Sequence, residues 1–305
     1  MVLTASKESL RFVVYLLERA MVPVHAIVIL IAALSAISSA GVLVSALPGL
    51  DPWGIAWWRM LGTALMLSPL LRKLPRSEWS QVAVAGLFLA LHFALWFMSL
   101  QRIPVMRSTL LVTLAPIWAG LVEWTFLKRA PRRLFWVGLL VALPGVAWMS
   151  GGEELGAGDI VGDGLALAGG ITGSMYFVIG GEVRKRVGVL TYMSGVTLVA
   201  ALLLTFSLFA TTERIVPTAG WEWAFLGCLI MGPQLVGHNG LNYVLKFLPA
   251  SIVTATTLLE PVGAALLAYF FLQQVPAVSE VQGGLIVLLG VLLATWPHKS
   301  RSDQG

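Results

Sequence analysis

The sequence predicts an all-α, polytopic membrane protein of ten transmembrane helices in two inverted five-helix repeats. Three observations predict it. Of 305 residues, 58% are hydrophobic and only 11% charged, where a soluble domain carries roughly a quarter charged residues. The long apolar stretches number ten, and the chain aligns with itself at a shift of 145 residues. Mean hydropathy is +0.86, and a span needs only about 20 apolar residues, so ten spans leave short loops and no sizeable extramembrane domain. A water-soluble enzyme, a nucleic-acid-binding module and a disordered scaffold are thereby excluded. The net charge of +5 and pI near 9.6 suit loops at one membrane face rather than a nucleic acid. Cys228 is the only cysteine, which precludes an internal disulfide or a thiolate metal cluster.

Residues 1-23 read as a cytoplasmic tail or interfacial helix. Lys7, Glu8, Arg11, Glu18 and Arg19 surround an apolar run from Phe12 to Leu17 that is too short to span, and no cleavage site follows it. Spans at 24-46, 53-71, 80-100, 104-127 and 134-150 make a first repeat over 24-150. Spans at 160-181, 189-210, 221-245, 249-272 and 278-296 make a second over 151-297, and 298-305 is a cytoplasmic tail. Loops assigned to one face carry sixteen Lys and Arg, those of the other face carry three, and Arg59 lies within a span. The excess places both termini in the cytoplasm. The loop around Glu153, Glu154 and Asp159 falls outside.

At the shift of 145, Pro104 to Val146 aligns with Pro249 to Val291 without a gap, identical at fourteen of forty-three positions. The matches include Pro104/Pro249, Thr109/Thr254, Pro116/Pro261, Gly138/Gly283 and Gly145/Gly290. Proline and glycine identities are harder to produce by apolar composition alone. Five spans per copy invert the second copy, the build of many secondary transporters whose substrate site lies between the halves.

The residues Leu259-Glu260-Pro261-Val262-Gly263-Ala264-Ala265-Leu266-Leu267, with Gln282-Gly283-Gly284-Leu285-Ile286 and Gly290-Val291, resemble the final two spans of EamA-type members of the drug/metabolite transporter superfamily. Leu114-Ala115-Pro116-Ile117 and the stretch from Gly138 to Val146 are the first-half counterpart. Leu91 to Trp96 and Gly237 to Asn242 are also similar to bacterial members. Gln273-Gln274 stands where members often carry a Gly-Glu pair. The resemblance, nearest to YddG-like exporters of aromatic and neutral amino acids, implies an exporter in a bacterial inner membrane.

Candidate site residues come from polar groups at membrane depth. Gln234, His238 and Asn242 recur every four residues and form one stripe on a helix face, which in lipid would be costly and so should face protein or a water-filled cavity. His92 and Trp96 align with His238 and Asn242 at a shift of 146. Both histidines read either as cavity lining or as bundle ties bonded to backbone carbonyls. Glu260, before Pro261, either couples protons, meets a substrate amine, or satisfies backbone groups freed by the proline. Tyr176 with Thr172, and Ser35, Ser38 and Ser39, could complete a cavity wall. Thr109, Thr113, Thr254 and Thr257 either bond across helices or contact cargo. Gly169 and Gly173 read as packing positions, and Gly232-Pro233 with Gly237 and Gly240 as a bend. Trp96 and Trp118 are the deep indoles that could stack on a substrate, whereas Trp53, Trp57, Trp58, Trp79, Trp221, Trp223 and Trp296 suit the headgroup level. Arg59 and Arg107 either meet a substrate carboxylate or, the preferred reading, snorkel to the outer interface.

Zinc-protease, esterase-elbow and P-loop patterns are missing from the sequence, so intramembrane proteolysis, esterase chemistry and ATP-driven pumping lack their parts. No cofactor or metal is expected, and the protein reads as no enzyme. The expected partners are a small-molecule substrate and the lipid bilayer, with the chain a monomer. Multidrug or other metabolite export is the alternative within the same fold.

Overall fold

The computed structural model describes residues 22–149, 159–210 and 214–296. The expected C-terminal tail, all but residues 22 and 23 of the N-terminal one, and most of the loop before Asp159 lie outside these residues. Every regular element among them is helical, apart from an isolated bridge between Leu50 and Arg214. The first half comprises α1 (Val24–Ser38), α2 (Ala40–Ser45), α3 (Pro52–Leu67), α4 (Trp79–Leu100), α5 (Val105–Val112), α6 (Ala115–Thr125) and α7 (Arg133–Met149). After it come α8 (Ile160–Val183), α9 (Val189–Leu204), α10 (Gly220–Leu229), a π-helical segment (Ile230–His238), α11 (Asn239–Val244), α12 (Ala250–Thr256), α13 (Glu260–Leu272) and α14 (Val278–Thr295).

Among the described residues, six helical stretches are long and apolar enough to cross a membrane: Val24–Val44, Arg76–Leu100, Ile160–Val183, Val189–Phe209, Ala250–Phe271 and Val278–Thr295. The other expected spans are shorter or interrupted. The 16-residue α3 carries Arg59, and α7 stops at 17 residues. Pro116 and Pro261 each stand in the first turn of a helix, α6 and α13, because a proline has no N–H to give the preceding turn. Both helices are therefore short continuations of another, α5 and α12.

The closest helix contact is glycine-lined. A Cβ on Gly138 would lie 2.3 Å from the Ala294 nitrogen, and one on Gly290 would lie 2.4 Å from the Ala142 nitrogen. On Gly145 it would meet the Gly283 carbonyl at 2.9 Å, and on Gly283 the Gly145 carbonyl at 2.6 Å. Thus α7 and α14 touch backbone to backbone in antiparallel register, 138 near 290 and 145 near 283. Small residues permit such contact where lipid provides no hydrophobic force between helices. Phe135, Leu139, Val146, Leu258, Val287 and Val291 pack around the seam.

A second core joins α3, α4, α8 and α9 through Met60, Leu89, Phe93, Phe97, Tyr176, Tyr192, Met193 and Val196. It forms one side of the polar centre. Other contacts fix helix ends. Glu123 of α6 accepts the Ala250 N–H at 2.7 Å and the Ser251 hydroxyl, so it caps α12. Arg102 meets Asp159 at 2.8 Å, and Arg107 grips both Asp163 oxygens at 2.7 and 2.6 Å, tying the α4–α5 corner to the start of α8. Arg186 holds both oxygens of Glu78 at 2.8 and 2.9 Å. The Asp159 carboxyl is held below its ordinary range, first by the hydrogen bond from Arg102 and then by the Val161 N–H.

Candidate functional site

Helix α4 carries His92, Phe93 and Trp96 to the middle of the fold. The way α8 packs against it explains how they fit. A Cβ on Gly169 would lie 3.4 Å from the Trp96 nitrogen, and one on Gly173 would lie 2.8 Å from Nδ1 of His92. These glycines, expected to be packing positions, let α8 approach closely enough for His92 Nδ1 to meet the Gly169 carbonyl at 2.8 Å. A carbonyl can only accept, so Nδ1 carries the proton. One nitrogen of the His92 ring is thereby tied to the backbone of α8. Its ring also stacks on Trp96, with centroids 6.2 Å apart, and Trp96 stacks on Phe97 at 5.4 Å.

The polar stripe arrives from the opposite side. The segment expected to bend is π-helical from Ile230 to His238, with Pro233 inside it; π turns recur at functional sites. Gly237 and Gly240 set it against α1, where added Cβ atoms would meet Ile37 at 2.6 Å and Ala33 at 2.7 Å. Gln234 and Asn242 are fully buried. The Asn242 Nδ2 donates to the Tyr176 hydroxyl at 2.5 Å and to the His238 carbonyl at 2.8 Å. Tyr176 O–H points to Met193 Sδ at 3.5 Å. The His238 ring lies 6.3 Å from that of Phe93 and 6.5 Å from that of Tyr176.

Arg59 corrects the preferred sequence reading. It does not snorkel: it is 5% exposed, its Nη2 donates to Gln234 Oε1 at 3.3 Å, and its guanidinium lies 5.4 Å from the Phe93 ring centroid. Hydropathy gives a residue's place along a span but not which side of the helix it faces. The same four-residue spacing that marks Gln234 and His238 also joins Arg59 to buried Thr63, and that was the available signal. Arg107 is held by Asp163 in the first turn of α8, both side chains partly exposed.

Several buried polar atoms here have no hydrogen-bond partner among the described residues: Arg59 Nε, Thr63 Oγ1, Trp96 Nε1, Gln234 Nε2, His238 Nδ1 and Asn242 Oδ1, with both amide atoms of Asn239. An unmet buried polar group costs about 1–3 kcal/mol, so those brought together by the Arg59–Gln234 bond and the Phe93 ring, namely Arg59 Nε, Gln234 Nε2 and His238 Nδ1, point to a ligand or water site. Glu260 opens α13 and makes no ion pair with Arg59 among the described residues. Trp118 stands apart: its Nε1 is buried and unpartnered, and no ring contact or hydrogen bond links it to this centre among the described residues. Among the described residues, three of the four threonines bond within their own helices. Thr113, Thr254 and Thr257 donate to carbonyls of their own turns, as do Thr172, Ser38 and Ser39.

The model of the EamA-like transporter family matches the chain twice, over residues 25–151 and 160–296. The chain belongs to this family. It is a multi-pass membrane transporter, as its relatives are also named. The uncharacterized transporter YwfM of Bacillus subtilis is 26% identical over 74% of this chain and 77% of its own length. YdfC of the same organism is 24% identical over 80% and 82%. An uncharacterized transporter of Archaeoglobus fulgidus is 27% identical over 81% and 87%. A crystal structure of a protein 20% identical superposes with a TM-score of 0.76, covering 89% of this chain and 96% of the other, which shows a shared fold.

Proposed function

We propose that this transporter exports small neutral or zwitterionic metabolites, aromatic and neutral amino acids foremost, by alternating access across a bacterial inner membrane. The observation that carries this reading is the cluster of unpartnered buried polar atoms in the centre of the helices, beside the stacked rings of His92, Trp96 and Phe97. A pocket that orients a small molecule needs a few convergent polar groups set in an apolar, aromatic wall. His92, Trp96, Tyr176, Gln234, His238, Asn242 and Glu260 line it in this reading. Trp118, on α6, enters only as a residue met along the path.

Ten passages follow when interrupted helices are joined: 24–45, 52–73, 79–100, 105–125, 133–149, 160–183, 189–210, 220–244, 250–272 and 278–295. The glycine seam supports an inverted duplication with a domain boundary near residue 150. Exchanging the halves at a shift of 145 turns the 138–290 contact into the 283–145 contact, which is also present. The matching breaks at Pro116 and Pro261 and the two family-model matches support it too. Sixteen Lys and Arg at one face support cytoplasmic termini.

The test is uptake of labelled Trp, Phe, Tyr, Met, Leu, Thr and Lys into proteoliposomes, with and without a pH gradient. Saturable movement of the aromatic or neutral members is expected, and acceleration by the gradient would point to Glu260. If none moves beside an active control transporter, the amino-acid assignment fails and another metabolite or a drug becomes the cargo.

A further inference from the structure

Arg59 is a buried cation without an ion-pair partner among the described residues. The six ion pairs among the described residues, Arg102–Asp159, Arg107–Asp163, Arg129–Glu182, Lys185–Glu182, Arg186–Glu78 and Arg214–Glu222, leave it out. Its one hydrogen bond goes to a neutral amide at 3.3 Å, and its Nε–H is buried without an acceptor. A guanidinium so desolvated is poorly compensated by an amide oxygen and one aromatic face. Glu260 opens α13, whose Gly263 packs on Ser38 of α1, next to the Ile37 that Gly237 meets; it makes no ion pair with Arg59, and no side chain among the described residues ties it elsewhere. This part of the molecule therefore holds a guanidinium and a carboxyl group that are not joined to each other.

Opposite charges held apart are complementary to a molecule that carries both. We propose that Arg59 binds the carboxylate of the substrate and Glu260 its ammonium group, so the centre selects zwitterions, with Gln234 holding the guanidinium for approach. This inference rests on the transport reading above and names the groups behind its substrate class. A planar guanidinium with a free N–H suits a carboxylate. A phosphate dianion would meet one cation and the opposing Glu260, a poor balance. Phe93 covers one face of the guanidinium, and Arg59 Nε, Gln234 Nε2 and His238 Nδ1 are buried polar atoms without partners among the described residues.

The experiment compares phenylalanine, phenylalaninamide (no carboxylate) and 3-phenylpropanoate (no amine) as substrates of the full-length protein in proteoliposomes. Wild type is expected to favour phenylalanine over each by about 100-fold, because the analogue leaves a buried charged group without its hydrogen-bond partner. Arg59→Gln should erase the preference over the amide, and Glu260→Gln the preference over the propanoate. Should Arg59→Gln fail to fold, Gln234→Glu decides: it places a fixed carboxylate beside Arg59 in a side chain of the same shape, and should fold yet lose the same preference. Retention of acid-over-amide selectivity in Arg59→Gln or Gln234→Glu overturns the proposal, as does equal transport of acid and amide by wild type, which leaves the transport reading standing. If none of the three is transported, the amino-acid reading fails. Thermal shift of the detergent-solubilised protein with 3-phenylpropanoate then tests Arg59 separately: a shift abolished by Arg59→Gln sustains carboxylate binding, and its absence in wild type overturns it.

Discussion

Two places where the halves of the chain meet are built on opposite principles. Along α7 and α14 the contact is dry and backbone to backbone, with glycines where any side chain would collide. Around Arg59, Gln234 and His238 the contact is polar and incompletely bonded, with donors and acceptors left over. Close packing gives a rigid, specified join. Unmet polar groups do the reverse: they lower stability and leave binding capacity in reserve. The seam is thus expected to serve stability and the centre to serve transport, and substitutions should separate the two.

The largest effect should come from the seam. Gly138→Ala puts a methyl group where only the Ala294 backbone stands, and overpacking against backbone has no side chain to yield; it should destabilise by about 3 kcal/mol, read as a lower melting temperature in detergent. Glu123→Ala leaves the Ala250 N–H and the Ser251 hydroxyl without their acceptor. Two buried unmet donors amount to about 2–3 kcal/mol, again measured by thermal unfolding. Tyr176→Phe removes one acceptor of the Asn242 amide, which keeps the His238 carbonyl; a loss of about 1 kcal/mol is expected, with altered substrate affinity as the more sensitive reading.

These predictions rest on features of unequal legibility in the sequence. The seam was readable because Gly138/Gly283 and Gly145/Gly290 are identical pairs at a constant shift, and backbone contact leaves glycine as its mark. The Gln234, His238 and Asn242 stripe was readable because polar side chains at helical spacing stand out in an apolar segment. Arg59 was misread because an arginine within reach of an interface has two physically reasonable destinations, and only packing against Gln234 and Phe93 decides between them. The bonding of Thr113, Thr254 and Thr257 was not readable: a hydroxyl can bond the carbonyl of its own preceding turn, and spacing cannot distinguish that from a bond to a neighbouring helix. Nor could spacing show that a π turn, rather than a simple kink, presents His238.

The smallest effects should lie at the clasp between the α4–α5 corner and α8. Arg102 and Asp159 are partly solvent-exposed, and such pairs contribute little. Arg102→Ala should melt within error of wild type at neutral pH. The Asp159 carboxyl is lower in the folded protein than its ordinary value, so its contribution is present at neutral pH and is lost as pH falls through that lowered value. An acid titration of melting temperature should show a slightly steeper fall for wild type than for Arg102→Ala.

The division between seam and centre is tested most directly by measuring transport per folded molecule and melting temperature together, for His238→Leu and Gly138→Ala in the same lipid. His238 Nδ1 has no protein partner to lose, so His238→Leu should keep or raise the melting temperature and abolish transport. Gly138→Ala should lower the melting temperature while its surviving folded fraction transports at the wild-type rate. Wild-type transport by His238→Leu, beside an inactive but stable Gly138→Ala, would contradict the account.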